Sequence, residues 1–136
     1  MGCIRTEYHS SHLISLRIND SSDGTSEKTI CKKIAYLLDK QTFCIRDLQS
    51  TNSFSINHDV PIDFLELSSR GNHVIFRDKK SNLCIFDCQL KKKTHLLKWC
   101  GYAQWVPSSE TIVAQSREMM HIYYNVNEPG QVRIHY

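Results

Sequence analysis

The chain is predicted to be all-β, built as three similar four-stranded antiparallel units, on three observations. Apolar and polar residues alternate over short runs, as they do where one side of a strand meets a core. Polar punctuation breaks these runs about every ten residues, in DKQ, SSRGN, DKKSN, QLKKK, PSSE and NEPG. Finally, IAYLLDKQTFCIRD at 34–47 returns as VIFRDKKSNLCIFD at 74–87. Superposing Ile45 on Ile85 sets Phe43 and Cys44 on Leu83 and Cys84, Asp47 on Asp87, and Ile34 on Val74. A third copy follows in TIVAQSREMMHIYYN, where Ile112 answers Val74 and Ile122 answers Ile85.

Taken in order, the first copy opens with HLISLRIN, whose Ile14, Leu16 and Ile18 share one side of a strand over His12 to Ile18. Its second segment, ICKKIAYLLDK, also fits a helix, because Ile30, Ile34, Leu37 and Leu38 fall on one helical face. The repeat decides for a strand over Lys32 to Leu38, since VIFRD and TIVAQ at the equivalent positions are β-branched and aromatic and read poorly as helix. Thr42 to Leu48 and Ser53 to Asn57 complete the copy. In the middle copy, Pro61 to Leu67 sets Ile62 and Phe64 against Leu65 and Leu67; His73 to Arg77, Leu83 to Cys88 and Thr94 to Trp99 follow. The last copy has Tyr102 to Val106, Thr111 to Gln115, Met119 to Asn125 and Gln131 to Tyr136.

Four short antiparallel strands per repeat of about forty residues describe a β-propeller blade. The blade explains the unbroken runs FCI and LCIF: a middle strand lies between two neighbouring blades and is apolar on both sides. Small residues at Cys44, Cys84 and Ala114 would let blades approach closely while Phe and Leu fill the wider outer layer. Trp99 and Trp105, flanking the first strand of the last copy, are read as core rather than as a ligand platform.

The 136 residues suffice for one core, and 40% hydrophobic against 23% charged residues describes a chain that folds. The formal charge of +3 is mild and its one basic run, Lys91 to Lys93, is short, so nucleic-acid binding is not expected. Several of the six cysteines sit within apolar runs, and they read as small hydrophobes in a reduced interior. Neither Cys84 with Cys88 nor His9 with His12 has partners at a zinc-like spacing, so no metal or cofactor is expected. No apolar stretch reaches the length of a membrane span. The start MGCIRT does fit the acylation pattern at Gly2, with Cys3 beside it as a palmitoylation candidate. A lipid-anchored peripheral adaptor is therefore the alternative function. GxSxG, P-loop and HExxH motifs are absent, and Asp39, Asp47, Asp78 and Asp87 recur with the repeat, whereas catalytic groups converge once.

The middle copy resembles a WD40 repeat. His58 stands in the loop before its first strand, Ser68-Ser69-Arg70-Gly71 where such repeats carry S-P-D-G, and Phe86-Asp87 where they carry Trp-Asp. Asp78 sits a little early for the turn Asp, and Tyr123-Tyr124 replaces the Trp-Asp pair in the last copy. The resemblance implies a partial WD40-type β-propeller of about three four-stranded antiparallel blades: a leader at 1–11, then blades at 12–57, 58–99 and 100–136. It also implies that His58 and Asp78 join a hydrogen-bond network that staples one blade. Gly71, Asp47 and Asp87 are the remaining structural repeat positions.

More specifically, KKIAYLLDKQTFCIRDL, DFLELSSRGNHVIFRDKK, YAQWVPSSETIVAQSR and YYNVNEPGQV look like the intraflagellar transport protein 172 family, large subunits of ciliary transport complex B. That family joins N-terminal WD40 propellers to a long helical array, so this chain reads as a piece of a propeller. The resemblance implies a non-catalytic interaction scaffold acting in cilium assembly and maintenance, at the cilium or ciliary base on the cytoplasmic side. Its implied partners are other complex B subunits, with the rest of its own propeller or another copy closing the ring. Contacts are expected on turns 20–27, 78–81 and 127–130.

Overall fold

The computed structural model describes residues 14–19, 31–124, 126 and 132–135, with the side chains of 14–19, 31 and 132–135 left out of account. Twelve strands are found among the described residues: β1 Ile14–Asn19, β2 Cys31–Leu37, β3 Thr42–Asp47, β4 Ser53–Asn57, β5 Ile62–Leu67, β6 His73–Asp78, β7 Leu83–Asp87, β8 Lys92–Leu97, β9 Cys100–Trp105, β10 Ile112–Ser116, β11 Met119–Tyr123 and β12 Val132–His135. They form three four-stranded sheets in simple sequential order, β1 to β4, β5 to β8 and β9 to β12. Every neighbouring pair is antiparallel, and no sheet closes on itself. The fold is thus the expected propeller type, and no strand end lies more than two residues from its expected position. The ICKKIAYLLDK segment is strand β2, as the repeat required. Among the described residues no helix is long and apolar enough to cross a membrane.

The middle sheet shows why its strands run apolar without a break. Alternate side chains of β6 and β7 enter two separate cores. Val74, Phe76, Cys84 and Phe86 pack with Ala35, Leu37, Phe43 and Ile45 of the first sheet. Ile75, Leu83 and Ile85 pack with Ala103, Trp105, Ile112, Ala114 and Tyr123 of the third. A period-two side-chain pattern buried on both faces keeps the centres of these strands apolar and leaves polar residues such as His73, Asp78 and Asp87 to their ends. Aromatic contacts add directionality to the first seam, with Phe43 5.0 Å from Phe76 and 6.0 Å from Phe86, ring centre to ring centre. The outermost strand β4 behaves differently: SFSIN alternates exposed and half-buried, and only Phe54 and Ile56 reach the core.

Polar bonds fix the register of the sheets. Backbone N–H groups of His58 and Ile62 donate to the carbonyls of Gln41 and Lys40 across the first seam, at 2.7 and 2.8 Å. In the second seam the Trp105 amide donates to Glu66 Oε1 at 2.9 Å and its indole Nε1–H to the Glu66 carbonyl at 3.1 Å. Tyr123, standing where a Trp-Asp pair would put its Trp, is 2% exposed and donates its hydroxyl to the Leu96 carbonyl at 3.1 Å. Burial pushes that phenol up to about 12.

Candidate functional site

A buried polar chain lies at one end of the middle sheet, where the β4–β5 connection passes the β6–β7 turn. His58 Nε2 is 2.9 Å from Asp78 Oδ2, and Lys93 Nζ is 3.0 Å from His58 Nδ1. A carboxylate only accepts and an ammonium only donates, so the network assigns the Nε2–H tautomer to His58: Nε2–H donates to Asp78, and Nδ1 accepts from Lys93. The ring also stands edge-on to Phe76, centre to centre 5.0 Å. Asp78 Oδ1 accepts the backbone N–H groups of Lys80 and Asn82 at 2.9 and 3.0 Å, closing the β6–β7 turn. Burial pushes the Asp78 carboxyl up, but the bonds from His58, Asn82 and Lys80 outweigh it and hold the carboxyl below its usual range.

Asp47 and Asp87, forty residues apart, hold equivalent turns at the far end of the sheets. Asp47 Oδ1 accepts from the amides of Gln49 and Ser50, and Asp87 Oδ1 from those of Gln89 and Leu90. Each carboxylate thereby holds a turn in which a later residue, Thr51 or Lys91, takes a positive φ of 63° or 54°. The Gln49 amide chiefly lowers Asp47; for Asp87 burial raises the carboxyl, and the amides of Leu90 and Gln89 outweigh it. Gly71 closes the β5–β6 turn with φ 72°, a conformation costly for a residue bearing a Cβ. Its carbonyl accepts from Lys33 Nζ of the first sheet at 3.1 Å.

Two features were not legible in the sequence. His73, almost fully buried in the second seam, has Asp87 Oδ2 3.4 Å from Nε2 and Glu110 Oε2 3.4 Å from Nδ1. It borders a cavity of about 310 Å³ shared with Ile85, Asp87, Leu90, Lys92 and Val126. The other feature is a correction. Trp105 is a core residue at 5% exposure, whereas Trp99 is 58% exposed. Trp99 falls in the β8–β9 connection with φ 53°, beyond the reach of either seam, and the Arg117 guanidinium lies 4.2 Å from its ring centre. The repeat could have flagged it, because the equivalent position at the end of the first copy is not aromatic.

Among the described residues no group of His, Cys, Asp and Glu could hold a metal ion. Cys84 is a poor nucleophile, its thiol pushed up to about 11 chiefly by burial. Gly2, Cys3, His9 and His12, and the turns 20–27 and 127–130, lie outside the described residues. The described part of the site therefore offers rigidly held turns carrying charged and aromatic side chains, an arrangement suited to binding a macromolecular surface.

No family model matches the sequence. The chain is 43% identical over 135 residues to intraflagellar transport protein 172 of Chlamydomonas reinhardtii, 40% identical over 133 residues to intraflagellar transport protein 172 homolog of Homo sapiens, and 39% identical over 133 residues to intraflagellar transport protein osm-1 of Caenorhabditis elegans. Each match covers 97% of this chain and 8% of the relative, so the chain spans less than a tenth of the length of the curated relatives it matches. Among solved structures, the N-terminal domain of Nup159 superposes with a TM-score of 0.58 at 10% identity, covering 76% of this chain and 27% of that one. Hsv2 of Kluyveromyces lactis does so with a TM-score of 0.54 at 14% identity, over 73% of this chain and 36% of that one. These structural likenesses speak to the propeller-type fold alone.

Proposed function

We propose that this chain, homologous along its length to one segment of intraflagellar transport protein 172, is a non-catalytic interaction scaffold that contributes propeller blades to a ciliary transport particle. The single observation that carries the reading is identity of 39–43% along 97% of the chain to relatives that all bear an intraflagellar transport name. The architecture supports a scaffold: double-sided burial makes the middle sheet a rigid wedge between its two neighbours, and rigid packing holds turns in fixed relative positions. His58 and Asp78 staple the middle blade, while Asp87 and Gly71 shape the turns at its other end and Asp47 shapes the equivalent turn of the first blade. The ring is completed by the remainder of the same propeller or by another copy. The partners are other subunits of complex B, and the site of action is the cilium and its base on the cytoplasmic side, in cilium assembly and maintenance.

Fluorescent tagging of the endogenous product in ciliated cells tests the proposal. Movement of the tag along the cilium together with complex B, and short or missing cilia on its removal, are the expected results. A diffuse tag with cilia unaffected by its loss overturns it.

A further inference from the structure

We infer that the end of the molecule formed by the β6–β7 turn, the β8–β9 connection and the β10–β11 turn is a docking surface for an acidic protein segment, with Arg117 stacked on Trp99 as its anchor. The inference rests on the scaffold reading only in naming a protein as the partner.

Lys79 with Lys80, Lys98 and Arg117 come from three separate segments of the sequence, and each is exposed. The fold brings their turns together through hydrogen bonds: the Cys100 amide donates to the Ser81 carbonyl at 2.8 Å, and Ser116 Oγ to the Lys98 carbonyl at 3.0 Å. Four cations thus gather at this edge against two exposed acids among the described residues, Glu118 and Asp59, the latter 3.5 Å from His58, while Asp78 beneath them is buried and already bonded. A local excess of one sign attracts the opposite sign and steers its approach.

The anchor has a geometry of its own. A guanidinium lying over an indole keeps its in-plane N–H groups available for a bidentate carboxylate, and stacking holds the fork still. Trp99 leaves more than half its surface in water, although Trp is among the most favourable residues to bury. Ser81, Trp99 and Arg117, one from each of the three segments, have φ of 64°, 53° and 58°. For a residue as bulky as Trp the left-handed region is costly. Charge complementarity therefore selects an acidic chain segment as occupant, its carboxylates meeting Arg117 and the lysines.

Trp99 reports on the site directly, because the other tryptophan, Trp105, is buried and bonded to Glu66. Titration of the 136-residue chain with octaglutamate, in parallel with octalysine and octaglutamine, should change Trp99 emission for the glutamate peptide alone. The response should weaken as salt is raised from about 50 to about 300 mM, where screening shortens to a few ångströms. K79E/K80E should weaken binding about tenfold or more, and R117K should weaken it while conserving charge, because Lys cannot offer the stacked fork. R70E/K92E, equal in charge change but at the opposite ends of the strands, should leave it unaltered. Circular dichroism of each variant separates lost binding from lost folding. Equal responses to all three peptides, or equal weakening by R70E/K92E, overturn the inference, and neither result bears on whether the protein travels in cilia.

Discussion

Replacing Asp78 by Asn asks whether the buried staple is one coupled unit. The carboxylate is 2% exposed and accepts from His58 and from the amides of Lys80 and Asn82. An Asn side chain conserves the volume and can still accept both amides through its oxygen. Its NH₂ group then faces His58 Nε2, which can accept only if the ring proton moves to Nδ1, and Nδ1 lies 3.0 Å from the Lys93 ammonium. One donor–donor clash survives in either tautomer. With an opposed donor in a buried site and a lost charged bond, Asp78→Asn should cost about 2–3 kcal/mol. Lys93→Met, removing a largely exposed ammonium, should cost about 0.5–1 kcal/mol. In the double variant the Nδ1–H tautomer instead meets Asp59 Oδ1, 3.5 Å away and able to accept. The pair should therefore be about 0.5–1.5 kcal/mol more stable than the sum of the single losses implies. Urea unfolding measures this: with a slope of roughly 1–3 kcal/mol per molar, Asp78→Asn lowers the midpoint by about 0.7–3 M. Single losses that add to within about 0.5 kcal/mol refute the tautomer reasoning. A midpoint unmoved by Asp78→Asn refutes the staple itself.

Three further outcomes are expected. Because both faces of the middle sheet are buried, Val74→Ala should cost about 1.5–3 kcal/mol and the adjacent Ile75→Ala about 2–4 kcal/mol by chemical denaturation; a sheet buried on one face would leave one of them nearly neutral. The Asp78 and Asp87 carboxyls are held below their usual range in the folded chain, so their stabilisation is complete above an unfolded value near about 4 and is lost as pH falls through the folded values. The urea midpoint should accordingly be level from neutrality to about pH 5 and drop below about pH 4, less steeply in Asp78→Asn; a midpoint that climbs on acidification contradicts the sign. Cys44 and Cys84 are buried and the Cys84 thiol is pushed up to about 11, so a disulfide reagent should label both at the rate of unfolding, and rapid native-state labelling would remove the close packing assigned to these small side chains.

How much was legible in the sequence divides along a physical line. Strand identity, antiparallel order and the doubly buried middle strands follow from local rules, since a two-residue side-chain period and turn chemistry are properties of neighbouring residues and the forty-residue repeat tests each reading three times. The ambiguous ICKKIAYLLDK segment was decided in this way, with no tertiary information. His58 and Asp78 could be singled out because each occupies a patterned place in the copy. Lys93, which completes their network, has no such place: its sheet position brings Nζ to His58 across 35 residues of chain. The approach of Asp87 and Glu110 to His73 and the stacking of Arg117 on Trp99 are likewise products of how one sheet lies against the next. Trp99 was misread for the same reason. Its composition argues for burial, but whether a residue is buried depends on what stands opposite, and the β8–β9 connection carries it past the edge of the seam into water. Local order resides in the pattern of the chain, whereas contacts between wedges are set by the packing of their faces, which only the folded arrangement decides.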